Sequence, residues 1–286
     1  MGFIFFLVVI VVFLFFPVVT YILFWYESAN SPYKQELDRI SNGRTGSWVA
    51  RGIVSSILSN GVTVCTYQLG LIKRLWEPAP GSGGSSPPVI LIHRLYHNPS
   101  AWIRLRGQLK RAGYERVYAF KYSSFRSDFQ GVFRGLEQWI ADIGRGFPGE
   151  SVVLVGHSMG GLLAKAYAAR EDTSEGPRAR AVVTLGTPFG GSKAVVFGIG
   201  NLAGSLGFGS TLIHDLGGLE TPAEVPCIAF HSPVDNMVLP ALSLRPPADW
   251  GEEVTAPICH LAMLYHGPTV NRVMKRITES VAASTV

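Results

Sequence analysis

Residues 151–167 read S-V-V-L-V-G-H-S-M-G-G-L-L-A-K-A-Y. The run 151–155 predicts a buried strand, and 159–170 predicts a helix. Between them lies the turn Gly156-His157-Ser158-Met159-Gly160. This is G-x-S-x-G set between a strand and a helix. A turn this tight leaves no room for side chains at Gly156 and Gly160. It forces Ser158 into strained backbone angles and pushes its Oγ out at the carboxyl edge of the sheet. The helix that follows points its N-terminal N–H groups at the same place, which favours developing negative charge. The plain alternative is a glycine-rich turn with an inert serine.

Working outward, short apolar runs alternate with longer amphipathic ones. Strands are predicted at 89–93, 116–121, 151–155, 181–185 and 226–231, with a weaker one at 253–256. Helices are predicted at 100–112, 127–143, 159–170 and 269–282. Continuous apolar strands alternating with helices indicate a mostly parallel sheet covered on both faces. No internal repeat interrupts the pattern.

A serine hydroxyl is a weak nucleophile unless a base takes its proton and a carboxylate orients that base. In units of this kind the chain order is serine, acid, histidine. His214, His231, His260 and His266 follow Ser158. His260 lies between the last predicted strand and the last helix, where the base belongs, and His266 is the second choice. Asp235 sits just after strand 226–231 in F-H-S-P-V-D-N-M-V-L-P, in a loop stiffened by Pro233 and Pro240. Asp215 falls in the middle insertion, and Asp249 is too close to the last strand. The plain alternatives are a packed histidine and a turn-capping aspartate.

Four blocks resemble bacterial lipases and esterases of the α/β-hydrolase superfamily, especially those with an N-terminal membrane anchor. They are I-L-I-H-R-L-Y-H-N-P-S-A-W at 90–102, V-G-H-S-M-G-G-L at 155–162, T-L-G-T-P-F-G-G-S at 184–192, and D-N-M-V-L-P at 235–240 paired with H-L-A-M-L-Y-H at 260–266. The resemblance runs from Val89 to the region of Val281. It implies an α/β-hydrolase fold with a small lid insertion at 190–219. The chain before Val89 offers little for an initial antiparallel strand pair, so a trimmed sheet is expected. The resemblance further implies a Ser158, Asp235, His260 triad, an elbow of Gly156, His157 and Gly160, and an oxyanion hole from the backbone N–H groups of Met159 and Leu95. No metal or organic cofactor is implied.

The expected reaction is hydrolysis of a carboxylic ester through an acyl-enzyme, on lipidic acyl groups because the lid is apolar. Two rivals share the motifs: an acyltransferase or thioesterase, and a catalytically weakened binding module at the membrane. The second draws on one departure. The family places a glycine before the oxyanion donor of the first loop, and this chain has Arg94. If that position needs φ > 0, an arginine costs about 1 kcal/mol or more and displaces the donor. Arg94 then implies reduced activity, an altered loop, or a cation facing an anionic substrate.

The chain has 286 residues, 47% of them hydrophobic and only 16% charged. Residues 1–26 carry no charge, and Glu27 is the first. At about 1.5 Å per residue a helix over 3–25 spans roughly 35 Å, enough for a hydrocarbon core of about 30 Å. Trp25 and Tyr26 fall where interfacial aromatics belong. A signal peptide is disfavoured by the missing charged start and the absent A-x-A site. The expected organisation is an anchor at 1–26, a juxtamembrane region at 27–76, a linker E-P-A-P-G-S-G-G-S-S-P-P at 77–88 and a catalytic domain at 89–286. The uncharged but more polar stretch 52–72 is read as a helix lying against the membrane, with a second span as the alternative. The expected setting is a membrane, the bacterial inner membrane by resemblance, with the side open. Expected partners are an ester substrate and the bilayer. The net charge of +5 is not gathered into a run, which argues against nucleic acid. Cys65, Cys227 and Cys259 form no disulfide pattern and read as buried thiols.

Overall fold

The computed structural model describes residues 14–78, 84, 86–170 and 176–283. Six parallel strands form one sheet: β1 Val89–Ile92, β2 Val117–Phe120, β3 Val152–His157, β4 Ala179–Leu185, β5 Cys227–His231 and β6 Gly251–Val254, in the order β2-β1-β3-β4-β5-β6. All six lie within two or three residues of their expected positions. The trimmed, mostly parallel sheet of the sequence reading is the observed one.

Period-two alternation sends the side chains of each strand to two cores. Ile90, Ile92, Leu154 and Val182 meet α5 Phe129–Gly144, α6 Met159–Ala168, and the short α7 Asn201–Ser205 and α8 Thr211–Gly217. Leu91, Val153, Val155 and Val183 meet α4 Ile103–Arg111 and α9 Gly267–Ala283. α5 begins where the Asp128 carboxylate accepts the Gly131 N–H at 2.7 Å, an N-cap.

Three further helices precede the sheet: α1 Phe16–Ala29, α2 Tyr33–Ile40 and α3 Thr45–Tyr67. They pack against the sheet-bearing body. Tyr21 and Phe24 of α1 are 1% and 0% exposed, and with Tyr33, Leu37 and Trp76 they belong to the same core as Leu91 and Val155. Gly52 of α3 lets α1 come close, since a Cβ there would meet the Tyr21 hydroxyl at 2.2 Å. Thus 16–76 packs as a layer of the hydrolase body and is not held apart from it by the 77–88 linker, of which 79–83 and 85 lie outside the described residues. The C-terminal half of the expected span is a buttress in this structure. Among the described residues no helix is long and apolar enough to cross a membrane. The first half of the expected 1–26 anchor, residues 1–13, lies outside the described residues.

Candidate active site

β3 ends in the expected sharp turn. Ser158 has φ 56° and ψ −123°, a strained conformation for a residue with a Cβ, and it directly precedes α6. The glycines around it are packed to backbone contact. A Cβ on Gly156 would lie 2.3 Å from Gly160 O, and one on Gly160 would lie 2.1 Å from Ile92 O. The turn is held to β4 by the Ser158 N–H, which donates to Leu185 O at 2.8 Å.

Asp235 and His260 come together from the loops after β5 and β6. His260 Nδ1 lies 2.7 Å from Asp235 Oδ2, and the two side chains are 2% and 0% exposed. The other oxygen, Oδ1, accepts the N–H groups of Met237 and Val238 at 2.9 and 3.0 Å. The carboxylate is thereby fixed in one orientation. Ser158 and His260 line the same cavity of about 350 Å³. Ser158 Oγ has no hydrogen-bond partner among the described residues, and such contacts commonly tighten only around a substrate. The other candidates lie elsewhere. His266 pairs with Thr269 Oγ1 at 2.9 Å, Asp215 is exposed beside His214, and Asp249 accepts from Thr221 at 3.4 Å.

His157 is fully buried beside this pair. Its Nε2 donates to His260 O at 3.1 Å, and the two rings lie 4.6 Å apart. Burial, reinforced by His260 and then Arg94, holds its pKa well below the ordinary value. It is a neutral brace under the histidine loop.

In the first loop, the strain anticipated at Arg94 is absent. The left-handed conformation falls on Tyr96, at φ 57°. Tyr96 carries it because it is tied on both sides: its N–H donates to Ser124 Oγ at 2.8 Å, and its hydroxyl donates to Ile199 O and accepts the Ile199 N–H, both at 2.6 Å. The argument that an arginine at 94 distorts the backbone therefore falls away. The N–H of Leu95 has no acceptor among the described residues, and that of Met159, first in α6, has none within its helix. Both are free for a ligand.

Sequence reasoning missed the supports of this site. Asn236 Oδ1 accepts the His260 N–H at 3.2 Å, while its Nδ2 donates to Thr20 Oγ1 of α1 at 2.8 Å. The Tyr21 and Tyr33 hydroxyls donate to Val234 O and Pro233 O at 2.9 and 2.8 Å, the two residues just before the acid. On α3, Ser55 accepts the Cys259 N–H at 2.8 Å, Ser59 pairs with Cys259 Sγ at 3.3 Å, and Thr63 meets the Tyr265 hydroxyl at 3.2 Å. Their signal was a polar stripe at i, i+4, i+8 along an otherwise apolar helix. Gly186, in the T-L-G-T-P block, is a further silent member. It has φ 55°, and a Cβ there would meet the His260 ring at 2.9 Å.

A family model described as "Alpha/beta hydrolase family" matches residues 80–281. The chain belongs to the α/β-hydrolase family. Solved structures agree on the fold of this hydrolase. The mature lipase BlEst2 of Bacillus licheniformis superposes with a TM-score of 0.58 at 16% identity, covering 70% of this chain and 96% of that one. The product of the gene lin2722 of Listeria innocua gives 0.52 at 16% identity, covering 66% and 92%. Carboxyl esterase 2 of the fungus Tuber melanosporum gives 0.50 at 13% identity, covering 68% and 79%. No curated protein sequence matches the hydrolase.

Proposed function

We propose that this α/β-hydrolase is a serine carboxylic-ester hydrolase that works on esters with an apolar acyl chain. The observation that carries the reading is the 2.7 Å contact of Asp235 with His260 on the wall of the cavity that holds Ser158. In the proposed reaction, Ser158 Oγ attacks the ester carbonyl while His260 takes its proton. The bond to the leaving alcohol breaks, and His260 returns the proton to that alcohol. Water then attacks the acyl-enzyme by the same route and frees the acid. Asp235 holds His260 with Nδ1 protonated, and the N–H groups of Leu95 and Met159 receive the oxyanion. No step calls for a metal or organic cofactor.

The cavity supports an apolar chain, since Leu95, Phe125, Val195, Phe197 and Leu206 form much of its wall. Its mouth also supports an encounter with a lipid surface. Phe16, Phe125, Phe197 and Ile199 line it and are all exposed, Ile199 at 72%. Phe16, which lies on this mouth, follows fifteen residues without a charged side chain, which favours attachment to a membrane on the cavity side.

A fluorescent fluorophosphonate tests the reading, because it reports an activated serine whatever the natural substrate. We expect labelling of the wild type and of Arg94→Gly, and none of Ser158→Ala. Rates on p-nitrophenyl esters of increasing chain length then test the apolar chain, and a maximum beyond four carbons is expected from the cavity wall. An unlabelled wild type that Arg94→Gly restores to labelling would move the binding-module reading to first place.

A further inference from the structure

Arg94 stands where the lipase-like pattern has a glycine, and its backbone lies outside the left-handed region, so the reason for either residue must lie in the side chain. The guanidinium Nε donates to Leu95 O at 3.1 Å. Neither Nη has an acceptor among the described residues, and no carboxylate pairs with it there. Asp235 cannot serve: one of its oxygens takes two backbone N–H groups and the other takes His260. Arg94 lines the cavity of Ser158 and His260, whose described lining contains no acidic residue. A half-buried cation without a counter-ion in an apolar wall is unfavourable unless something else neutralises it. A guanidinium fork is the side chain best shaped to receive a carboxylate or phosphate through two parallel hydrogen bonds.

We propose that Arg94 is a specificity-determining residue for esters that carry an anionic group, phosphate or carboxylate, within a few bonds of the scissile carbonyl. The short distance follows from the Nε contact with Leu95 O, which holds the guanidinium beside the residue whose N–H is assigned to the oxyanion. The apolar chain of the same substrate then runs along the Phe197 and Leu206 wall. This inference rests on the ester-hydrolase reading and narrows it from any apolar ester to an anionic amphiphile.

Two substrate pairs, matched in chain and differing in charge, test it: 1-octanoylglycerol against its 3-phosphate, and propyl octanoate against O-octanoylglycolate. The wild type is expected to prefer the anionic member of at least one pair by about tenfold or more in kcat/KM, as a charge-assisted hydrogen bond gives. The pair that shows the preference identifies the anion. Arg94→Gln should remove that preference, chiefly through KM, and Arg94→Lys should keep part of it. Equal rates within both pairs overturn the proposal. So does a preference that Arg94→Gln leaves unmoved while both members slow together, which would make Arg94 a brace of its own loop through Leu95 O.

A binding measurement separates this outcome from failure of the parent reading. Octyl phosphate or octanoate should raise the Tm of the full-length Ser158→Ala protein, and the added Arg94→Gln change should abolish the rise, with octyl glucoside as the uncharged control. That result stands even if no ester is turned over. No difference between the charged and uncharged ligands on the Arg94 protein would overturn the proposal, whether or not the serine proves reactive.

Discussion

The elbow at 152–168 and the helical layer at 16–67 both hold the candidate triad in place, and they do so by opposite kinds of information. In the elbow every constraint is local. Gly156 and Gly160 are close-packed against backbone within a few residues or on the adjacent strand, so the motif can be read from five consecutive letters. In the layer the constraints run across the chain: Tyr21 reaches Val234, Asn236 reaches Thr20, and Ser55 reaches Cys259. No short motif encodes such pairs. An apolar helix that buttresses a core and one that enters a bilayer have similar compositions, so the letters of 16–29 alone do not separate the two.

The largest test of this contrast is deletion. If the layer were only an anchor and tether, a chain beginning at Glu77 would fold and label with fluorophosphonate. The structure predicts that it does not accumulate as soluble folded protein. Deletion removes the buried side chains of Tyr21, Phe24, Leu37 and Trp76. At about 1.5–3 kcal/mol each, these amount to roughly 6–12 kcal/mol, comparable with the about 5–15 kcal/mol of a whole domain. A soluble, reactive 77–286 fragment would show that the two regions are energetically separate.

The legible and illegible parts of the site divide along the same line. Ser158 was fixed by its glycines, and Asp235 and His260 by their order after strands that were themselves readable. β5 was readable because the central strands, with helices on both faces, are largely apolar, whereas β6 is mostly exposed, carries Glu252 and Glu253, and was the weaker reading. The rest of the sheet was legible to within about two residues for that reason. Illegible were Asn236, although it directly follows the acid, and the hydroxyls of Thr20 and Tyr21, although they are polar groups in an apolar run. Each has a partner about two hundred positions away, and only that partner ties α1 to the acid and histidine loops. Whether Arg94 needed a left-handed backbone was also not legible, and that conformation falls two residues on, at Tyr96. Loop conformation depends on what ties the loop down, here Ser124 and Ile199 on Tyr96.

A smaller and sharper test targets the junction of the two regions. Asn236 is a positioning residue in this reading, joining the His260 backbone to Thr20. Asn236→Ala should lower kcat by about tenfold to a hundredfold, because sub-ångström displacement of a catalytic base has effects of that size. Thr20→Val should lower it by only about fivefold, since it removes one net hydrogen bond of about 1 kcal/mol. The double variant should be no worse than Asn236→Ala alone, since both act through one chain of contacts. Strictly additive losses, or a Thr20→Val protein unchanged in kcat but lower in Tm, would reduce α1 to packing.

The smallest expected effect is on stability against acid, and it samples both regions at once. Burial lowers the pKa of His93 to about 4 and that of His97 to about 3, with neighbouring Arg94 adding to the second, and it holds His157 well below the ordinary value of 6.5. His157 belongs to the elbow, whereas His97 lies against Tyr67 at the end of α3, with ring centroids 5.9 Å apart. Between pH of about 6.5 and 4, the unfolded chain binds protons at these three sites that the folded chain refuses. Stability is therefore complete above the unfolded pKa and falls as the pH drops toward the folded values. A Tm lower by about 5 °C or more at pH 5 than at pH 7.5 is expected for a chain of this size. His97→Gln should flatten the curve by the share that comes from the layer and leave the share from His157. A curve just as steep in His97→Gln would locate the acid sensitivity in the elbow and the adjoining β1 edge alone. The helical layer would then support the site mechanically without sharing its titration.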